Sequence, residues 1–367
     1  MVVRSSGLIK LIVTIIACSA CVAGYGISQQ LLQMAKGNQP NQEVLNRVAK
    51  SVVRLIAEIP AKPLKSNQLT QPGPFLAVQP TYRNCLGFAV AAVENWPLVL
   101  VPANEVLGAQ KLTAILSDGR IVDADVYAID ELLNIALIRV SEQDIPLLKW
   151  ADGERLEGMT WGAVFSSTRA IAGAINGTVQ VGATAHEGSY RYLPIFLFVG
   201  LNTSGAIGSP VINEQGRVVG VLSSVKPAPS FGSMIHSKQD TSITLAPPNS
   251  GYAVPSSYLK VMVSDLRDFR RVRRPWVGMS FRDGPEGAVI VTIARGSPCE
   301  KAGLKVGDKI LFVDGKKITN GLDLAMALSH QQFTGQDPTI RVTLKFIRSP
   351  GAPPQEVAVD LKPNKPN

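Results

Sequence analysis

The residues of this chain with the spacing for chemistry lie in one stretch, Gly205-Ala206-Ile207-Gly208-Ser209-Pro210-Val211-Ile212-Asn213. It runs on into Glu214-Gln215-Gly216-Arg217-Val218-Val219-Gly220-Val221-Leu222. The glycines allow a tight loop, and the branched residues after it suit two strands joined by a turn at Gln215-Gly216. The side chain here that could act as a nucleophile is serine, which needs a histidine to take its proton and an acid to hold the imidazole. Serines stand at 204 and 209, but the loop centre is Ile207, which carries no nucleophile. The three histidines, His186, His236 and His330, are scattered. His186 is expected in a loop after Val181 and His236 in a Pro/Ser-rich excursion over 226–250, away from any shared strand. No set of side chains has metal-ligand spacing, so neither a metal nor another cofactor is expected.

The elements that must position this loop are short apolar runs separated by turn signals. Strands are predicted at Ser51 to Ile56, Leu86 to Val93, Leu98 to Val101, Leu112 to Leu116, Val122 to Ala128 and Ile135 to Val140. The run continues through Thr160 to Phe165, Ile171 to Val179, Ile195 to Leu201, Val218 to Leu222 and Tyr252 to Pro255. Many short strands at close spacing imply a mainly β fold of two packed barrels rather than a doubly wound sheet. A helix over Ser257 to Phe269 and an arginine-rich linker follow. A new unit then opens at Trp276-Val277-Gly278-Met279, with a helix over Gly321 to Ser329 and a last strand at Ile340 to Ile347.

Composition bounds the class. With 46% hydrophobic and 18% charged residues in 367, the chain is globular and long enough for two or three cores. The net charge of +9 is not arranged as a basic stripe interleaved with aromatics, so no nucleic-acid partner is expected. Arg267, Arg270, Arg271, Arg273 and Arg274 are the one local cluster, read as a solvated linker. At the amino terminus Arg4 and Lys10 precede a charge-free run from Leu11 to Ile27, at the short limit of the ~20 residues a spanning helix needs. Ile15-Ile16-Ala17-Cys18 also resembles a bacterial lipobox. A retained anchor, a lipid anchor at Cys18 and a cleaved leader all export the remainder. The expected location is the extracytoplasmic, periplasm-facing side of a cell membrane, with single-pass or lipid anchoring. Of the four cysteines, Cys18 and Cys21 lie in that segment, while Cys85 and Cys299 fall in different expected domains, so no structural disulfide is expected.

Two resemblances organise these observations. The unit with Gly303, Gly307, Asp308 and the Asp314-Gly315 turn resembles a PDZ domain. The Gly205 loop resembles the Gly-Asn-Ser-Gly-Gly-Pro nucleophile loop of trypsin-like proteases, with Ile207 where the serine belongs. Together with Ser51-Val52-Val53-Arg54-Leu55, Leu116-Ser117-Asp118-Gly119-Arg120, Asn134-Ile135-Ala136-Leu137-Ile138 and Tyr252-Ala253-Val254-Pro255-Ser256, the chain is similar to the HtrA family, nearest its membrane-anchored, single-PDZ, DegS-like members. The resemblance implies a chymotrypsin-like double β-barrel over 44–265 and a PDZ domain over 276–363. It leaves residues 1–27 as the signal or anchor segment, 28–43 as a linker and 266–275 as an Arg-rich linker.

In the family Thr-Asn-Asn-His-Val-Val stands a fixed distance ahead of Ser-Asp-Gly-Arg. That distance places Asn104 at the histidine position. Asp-Ile-Ala-Leu becomes Asn134-Ile135-Ala136-Leu137, so Asn134 replaces the aspartate. With Ile207, all three triad positions are substituted. Ala206 and Ser209 also depart from the family loop, and a Cβ at 209 is expected to disturb the bend. The resemblance therefore implies a pseudoprotease that binds carboxy-terminal peptides or unfolded proteins through its PDZ domain, with active HtrA-type proteases as further partners. The groove residues it implies are Trp276, Val277, Gly278, Met279, Ser280, Leu322, Ala325 and Leu328, with assembly as a homotrimer. The alternative is an active HtrA-like serine endopeptidase in protein quality control with a displaced catalytic set.

Overall fold

A computed structural model describes residues 32–61, 80–151, 158–166, 169–186, 189–200, 205–227, 250–329, 331, 333 and 339–363. The expected anchor over 1–27, with Cys18 and Cys21, lies outside these residues, as do His236 and His330. Among the described residues no helix is long and apolar enough to cross a membrane.

The first barrel closes in the order β1-β2-β3-β6-β5-β4. Its strands are β1 (Val52–Ile59), β2 (Thr81–Val93), β3 (Trp96–Val101), β4 (Lys111–Ile115), β5 (Ile121–Asp130) and β6 (Ile135–Val140). Alternation fills it: Val53, Leu55 and Ala57 of β1 are buried while Arg54 between them is exposed. They meet Ala89, Val99, Val101, Ala136 and Ile138 in one core cluster. Each fully buried Leu, Ile or Val contributes about 1.5–3 kcal/mol relative to an exposed position. A short helix, α2 (Ala103–Val106), follows β3. Ahead of the barrel, α1 (Gln42–Ala49) is capped by Asn41, whose side chain accepts from the Val44 N–H at 2.9 Å.

The second set of strands is β7 (Met159–Phe165), β8 (Ala170–His186), β9 (Ser189–Gly200), β10 (Pro210–Ile212), β11 (Val218–Ser223), β12 (Lys226–Pro227) and β13 (Ser250–Pro255). They run in the order β12-β8-β7-β10-β11-β13-β9, and pairing of β8 with β9 closes the second barrel. Val164, Ile175, Phe196, Phe198, Val211 and Leu222 form its core. His186 ends a strand rather than sitting in a loop after Val181, because β8 runs on well beyond its apolar half. The stretch read as a linker also differs: Lys36 bridges Thr160 in parallel, and the Asn38 N–H donates to Glu214 Oε2 at 3.3 Å.

By its contacts the chain divides into two units. The first takes the described residues up to Val179, Phe196–Ser224 and those up to Lys260. The second includes everything from Val261 onward. Helix α3 (Ser256–Phe269) runs four residues into the segment expected to be a solvated linker. Nor is that linker uniformly solvated. Arg273 is buried, with Nη2 2.8 Å from Asp265 Oδ1, its N–H donating to Asp265 Oδ2 at 2.8 Å, and its guanidinium 3.9 Å from the Phe269 ring centre. A buried arginine persists only when so paired.

The last sheet runs β14-β20-β19-β17-β16-β15, with β18 (Lys316–Lys317) on β17. Its strands are β14 (Pro275–Trp276), β15 (Met279–Gly284), β16 (Gly287–Ile293), β17 (Lys309–Val313), β19 (Ile340–Ile347) and β20 (Gln355–Pro363). Helices α4 (Pro298–Lys301) and α5 (Gly321–Ser329) accompany it. The sequence reading stopped at β19. β20 is a full further strand, with Val359 and Leu361 buried against the core and exposed Ala358, Asp360 and Lys362 on the opposite face.

Candidate functional site: a double-barrel cleft and an open sheet edge

Antiparallel pairing sets the first half of the site. Val101 opposes Ala136 between β3 and β6, so the residues just after 101 face those just before 136. Two links result, one main-chain and one to a side chain: the Ala103 N–H donates to the Asn134 carbonyl at 3.2 Å, and the Asn104 N–H donates to Asn134 Oδ1 at 2.8 Å. Asn134 has φ +53°, a left-handed conformation that asparagine tolerates better than most side chains. Its amide oxygen is therefore spent holding the backbone of residue 104. The Asn104 amide turns to its neighbour and donates to Glu105 Oε1 at 2.7 Å, while Arg83 Nη1 donates to the Asn104 carbonyl at 2.6 Å.

The second half is the loop before β10. The Gly208 N–H donates to the Leu222 carbonyl at 2.9 Å, the Ser209 N–H to the Ala206 carbonyl at 2.9 Å, and the Leu222 N–H to the Ser209 carbonyl at 3.0 Å. Gly208 has φ +87°, and a Cβ there would overlap the Leu86 carbonyl and Pro102. So the loop is pressed against the first barrel, at the proline that leads into Ala103 and Asn104. Ala206 is fully buried, whereas Ile207 is 37% exposed. Asn104 and Asn134 are thus in direct contact, and the residue next to Ile207 packs on the chain entering Asn104.

The other site lies in the last sheet. β15 is its edge strand, with one side left for an added strand among the described residues. Gly278 has φ +77°, and a Cβ on it would overlap that of Ser297. The Gly278 carbonyl accepts from the Ala294 N–H at 2.8 Å and the Val277 carbonyl from the Cys299 N–H at 3.3 Å, which fixes the turn into β15.

A family model described as a trypsin-like peptidase domain matches residues 83–221, and one described as a PDZ domain matches residues 275–361. The chain therefore joins a trypsin-like peptidase domain to a PDZ domain. Serine protease Do-like HtrA of Bacillus subtilis (strain 168) is 25% identical over 303 residues, covering 74% of this chain and 62% of that protein. A probable periplasmic serine endoprotease, DegP-like, of Marinomonas sp. (strain MWYL1) is 25% identical over 273 residues, covering 67% and 54%. This chain therefore spans between half and two-thirds of the length of these relatives. Among solved structures, the HtrA-type protease AlgW with decapeptide superposes with TM-score 0.59 at 16% identity, over 88% of this chain and 98% of that one. The serine endoprotease from Yersinia pestis gives 0.55 at 17%, over 90% and 100%. At these identities the likeness is one of fold.

Two side chains near the loop that could act as nucleophiles, Ser209 and Cys85, are held back. Ser209, expected to disturb the loop, does so nowhere: it is not among the left-handed residues, and it is fully buried. Its Oγ accepts from the Phe165 N–H at 2.6 Å and donates to the Pro210 carbonyl at 3.1 Å, so the hydroxyl is a structural pin. Ser204 lies outside the described residues. Cys85, on β2 beside Leu86, is pushed up to about 12 by burial and, less, by the charge of Glu105, which leaves no useful thiolate near neutral pH. Among the described residues no group of His, Cys, Asp and Glu could hold a metal.

The residues expected in the peptide groove separate. Val277 and Met279 are half-buried against the PDZ core, and Leu328 belongs to that core. Ala325 is half-buried, Ser280 is exposed and bonds Thr292 Oγ1 through its Oγ at 2.6 Å, and nothing is described of the Leu322 side chain. Trp276 stands on β14, paired with Lys362, and lines a cavity between α4 and β20. Sequence reading missed Asp283. Its Oδ1 accepts the Gly321 N–H at 2.7 Å and so ties the start of α5 to β15. Phe281, within the Ser280 to Arg282 stretch expected to pair with an added strand, is half-buried against the same core.

Proposed function

We propose that this HtrA-type chain binds polypeptides without cutting them, as a scaffold or sensor on the extracytoplasmic side of a membrane. The observation that carries the reading is the trio Asn104, Asn134 and Ile207 in an otherwise retained double-barrel frame. A carboxamide does not take a proton near neutral pH, and isoleucine cannot attack a carbonyl. Binding would fall to the PDZ domain, where a carboxy-terminal peptide adds to the open side of β15 and packs its side chains toward α5. Carboxy-terminal segments or unfolded proteins are its expected ligands, active HtrA-type proteases its further partners, and a trimer its assembly. The location follows from Arg4 and Lys10 ahead of the apolar run and agrees with the periplasmic naming of the DegP-like relatives. The second reading, hydrolysis by a displaced catalytic set, is favoured by the naming of those relatives as proteases.

Titration of the full chain with labelled hydrophobic carboxy-terminal peptides, followed by anisotropy, tests the binding. Saturable binding that needs the free terminal carboxylate is expected. Peptides that fail to bind, or bind equally when amidated, contradict it.

A further inference from the structure

On the PDZ domain, between α4 and the outward face of β20, lies a cavity of about 820 Å³. That is within the ~300–1,000 Å³ of typical small-ligand pockets. No residue of β15 or α5 lines it. The sequence makes it by alternation: Val359 and Leu361 turn into the core, and the opposite face of β20 presents Ala358, whose short side chain leaves room. Trp276, Pro298 and Pro363 give apolar walls, and Trp276 is 39% exposed, a large apolar ring left uncovered.

The charge at the rim is one-sided. Lys301 and Lys362 both line the cavity. The one carboxylate there, Asp360, is held by Arg341 through two bonds of 2.7 and 3.0 Å. Those bonds, and the nearby Lys362, keep its carboxyl below the usual range, so it stays ionised and engaged. Two lysines thus line a partly apolar hollow whose one lining acid is already neutralised by a third cation.

We propose that this cavity binds an amphipathic carboxylate of the fatty-acid class, its acyl body against Trp276 and the two prolines and its head at Lys301 and Lys362. Ammonium groups at the mouth of an apolar pocket recognise a carboxylate by charge-assisted hydrogen bonds while the tail leaves water. The site is independent of the peptide edge at β15.

The test titrates the full chain with decanoate by calorimetry and tryptophan fluorescence, with decanol as the uncharged analogue. Saturable decanoate binding is expected, weaker by about tenfold or more for decanol and for Lys301→Gln with Lys362→Gln. It should be lost in Ala358→Phe, which fills the hollow from an exposed position. Absence of saturable decanoate binding overturns the proposal. So does equal affinity for decanol, or for the double glutamine variant, and so does binding that survives Ala358→Phe. Displacement of decanoate by an acidic peptide of higher affinity would reassign the pocket to a protein partner and equally overturn it.

Discussion

If the proposal is right, placing a triad at residues 104, 134 and 207 should create activity, because the fold holds residues 104 and 134 in contact and seats the Gly208 loop against Pro102. In Asn104→His/Asn134→Asp/Ile207→Ser, the new carboxylate occupies a position whose oxygen already lies 2.8 Å from the N–H of residue 104. Aspartate shares asparagine's tolerance for φ +53°, so the backbone need not move. Ile207 is 37% exposed, and its replacement by serine removes little buried area. A complete triad is worth ~10⁶ over the same site without one. Misplacement by an ångström costs ~10² of that. A weakened oxyanion donor, in a loop with Ala206 and Ser209, costs a further ~10²–10³. About tenfold to ~10²-fold should therefore survive over the unmodified chain. Hydrolysis of an activated peptide ester, with circular dichroism and melting to show that the variant folds, reads the gain. A folded variant with no gain, or one whose gain persists with Ile207 left in place, would refute the claim that these positions face one another.

Further predictions concern the rest of the molecule. Asp265→Asn leaves Arg273 buried without its counter-ion and should cost about 3 kcal/mol or more in chemical unfolding, whereas Asp265→Leu with Arg273→Met should recover at least half. Asp283→Ala removes the tie between β15 and the start of α5; a lost cap of about 1 kcal/mol should weaken carboxy-terminal peptide binding roughly fivefold by anisotropy. The thiols of Cys85 and Cys299 are both pushed up to about 12 by burial. A raised thiol has less thiolate at any pH below it, so at pH near 8.5 native alkylation of both, followed by peptide mapping, should be at least ~10²-fold slower than in the denatured chain and should rise with pH past the point where the denatured rate levels off.

Most of the architecture was legible because short strands announce themselves by alternation and by turn residues. Ile135–Val140 and Gly321–Ser329 carry the predicted bounds unchanged. β20 escapes notice although Val357, Val359 and Leu361 alternate with Glu356, Ala358, Asp360 and Lys362, because the proline- and lysine-rich tail around it suggests a loose end. Arg273 misled for a different reason. A run of arginines reads as solvated, and only the fold brings Asp265 and Phe269 to it. Of the cleft, the resemblance singled out Asn104 and Asn134, which the fold brings into contact, but not that Asn134 is the clamp on residue 104. That depends on a left-handed turn whose signal is a single asparagine. The role of Trp276 was likewise hidden, since its cavity is assembled from α4 and β20, far away in sequence.

The central claim is that the cleft of this chain is without catalytic power. The most direct measurement treats the purified full chain with a fluorophosphonate probe and follows casein turnover in parallel. The account predicts neither covalent labelling nor turnover above a heat-denatured control. Stoichiometric labelling that disappears in Ser204→Ala or Ser209→Ala, together with casein cleavage, would contradict it.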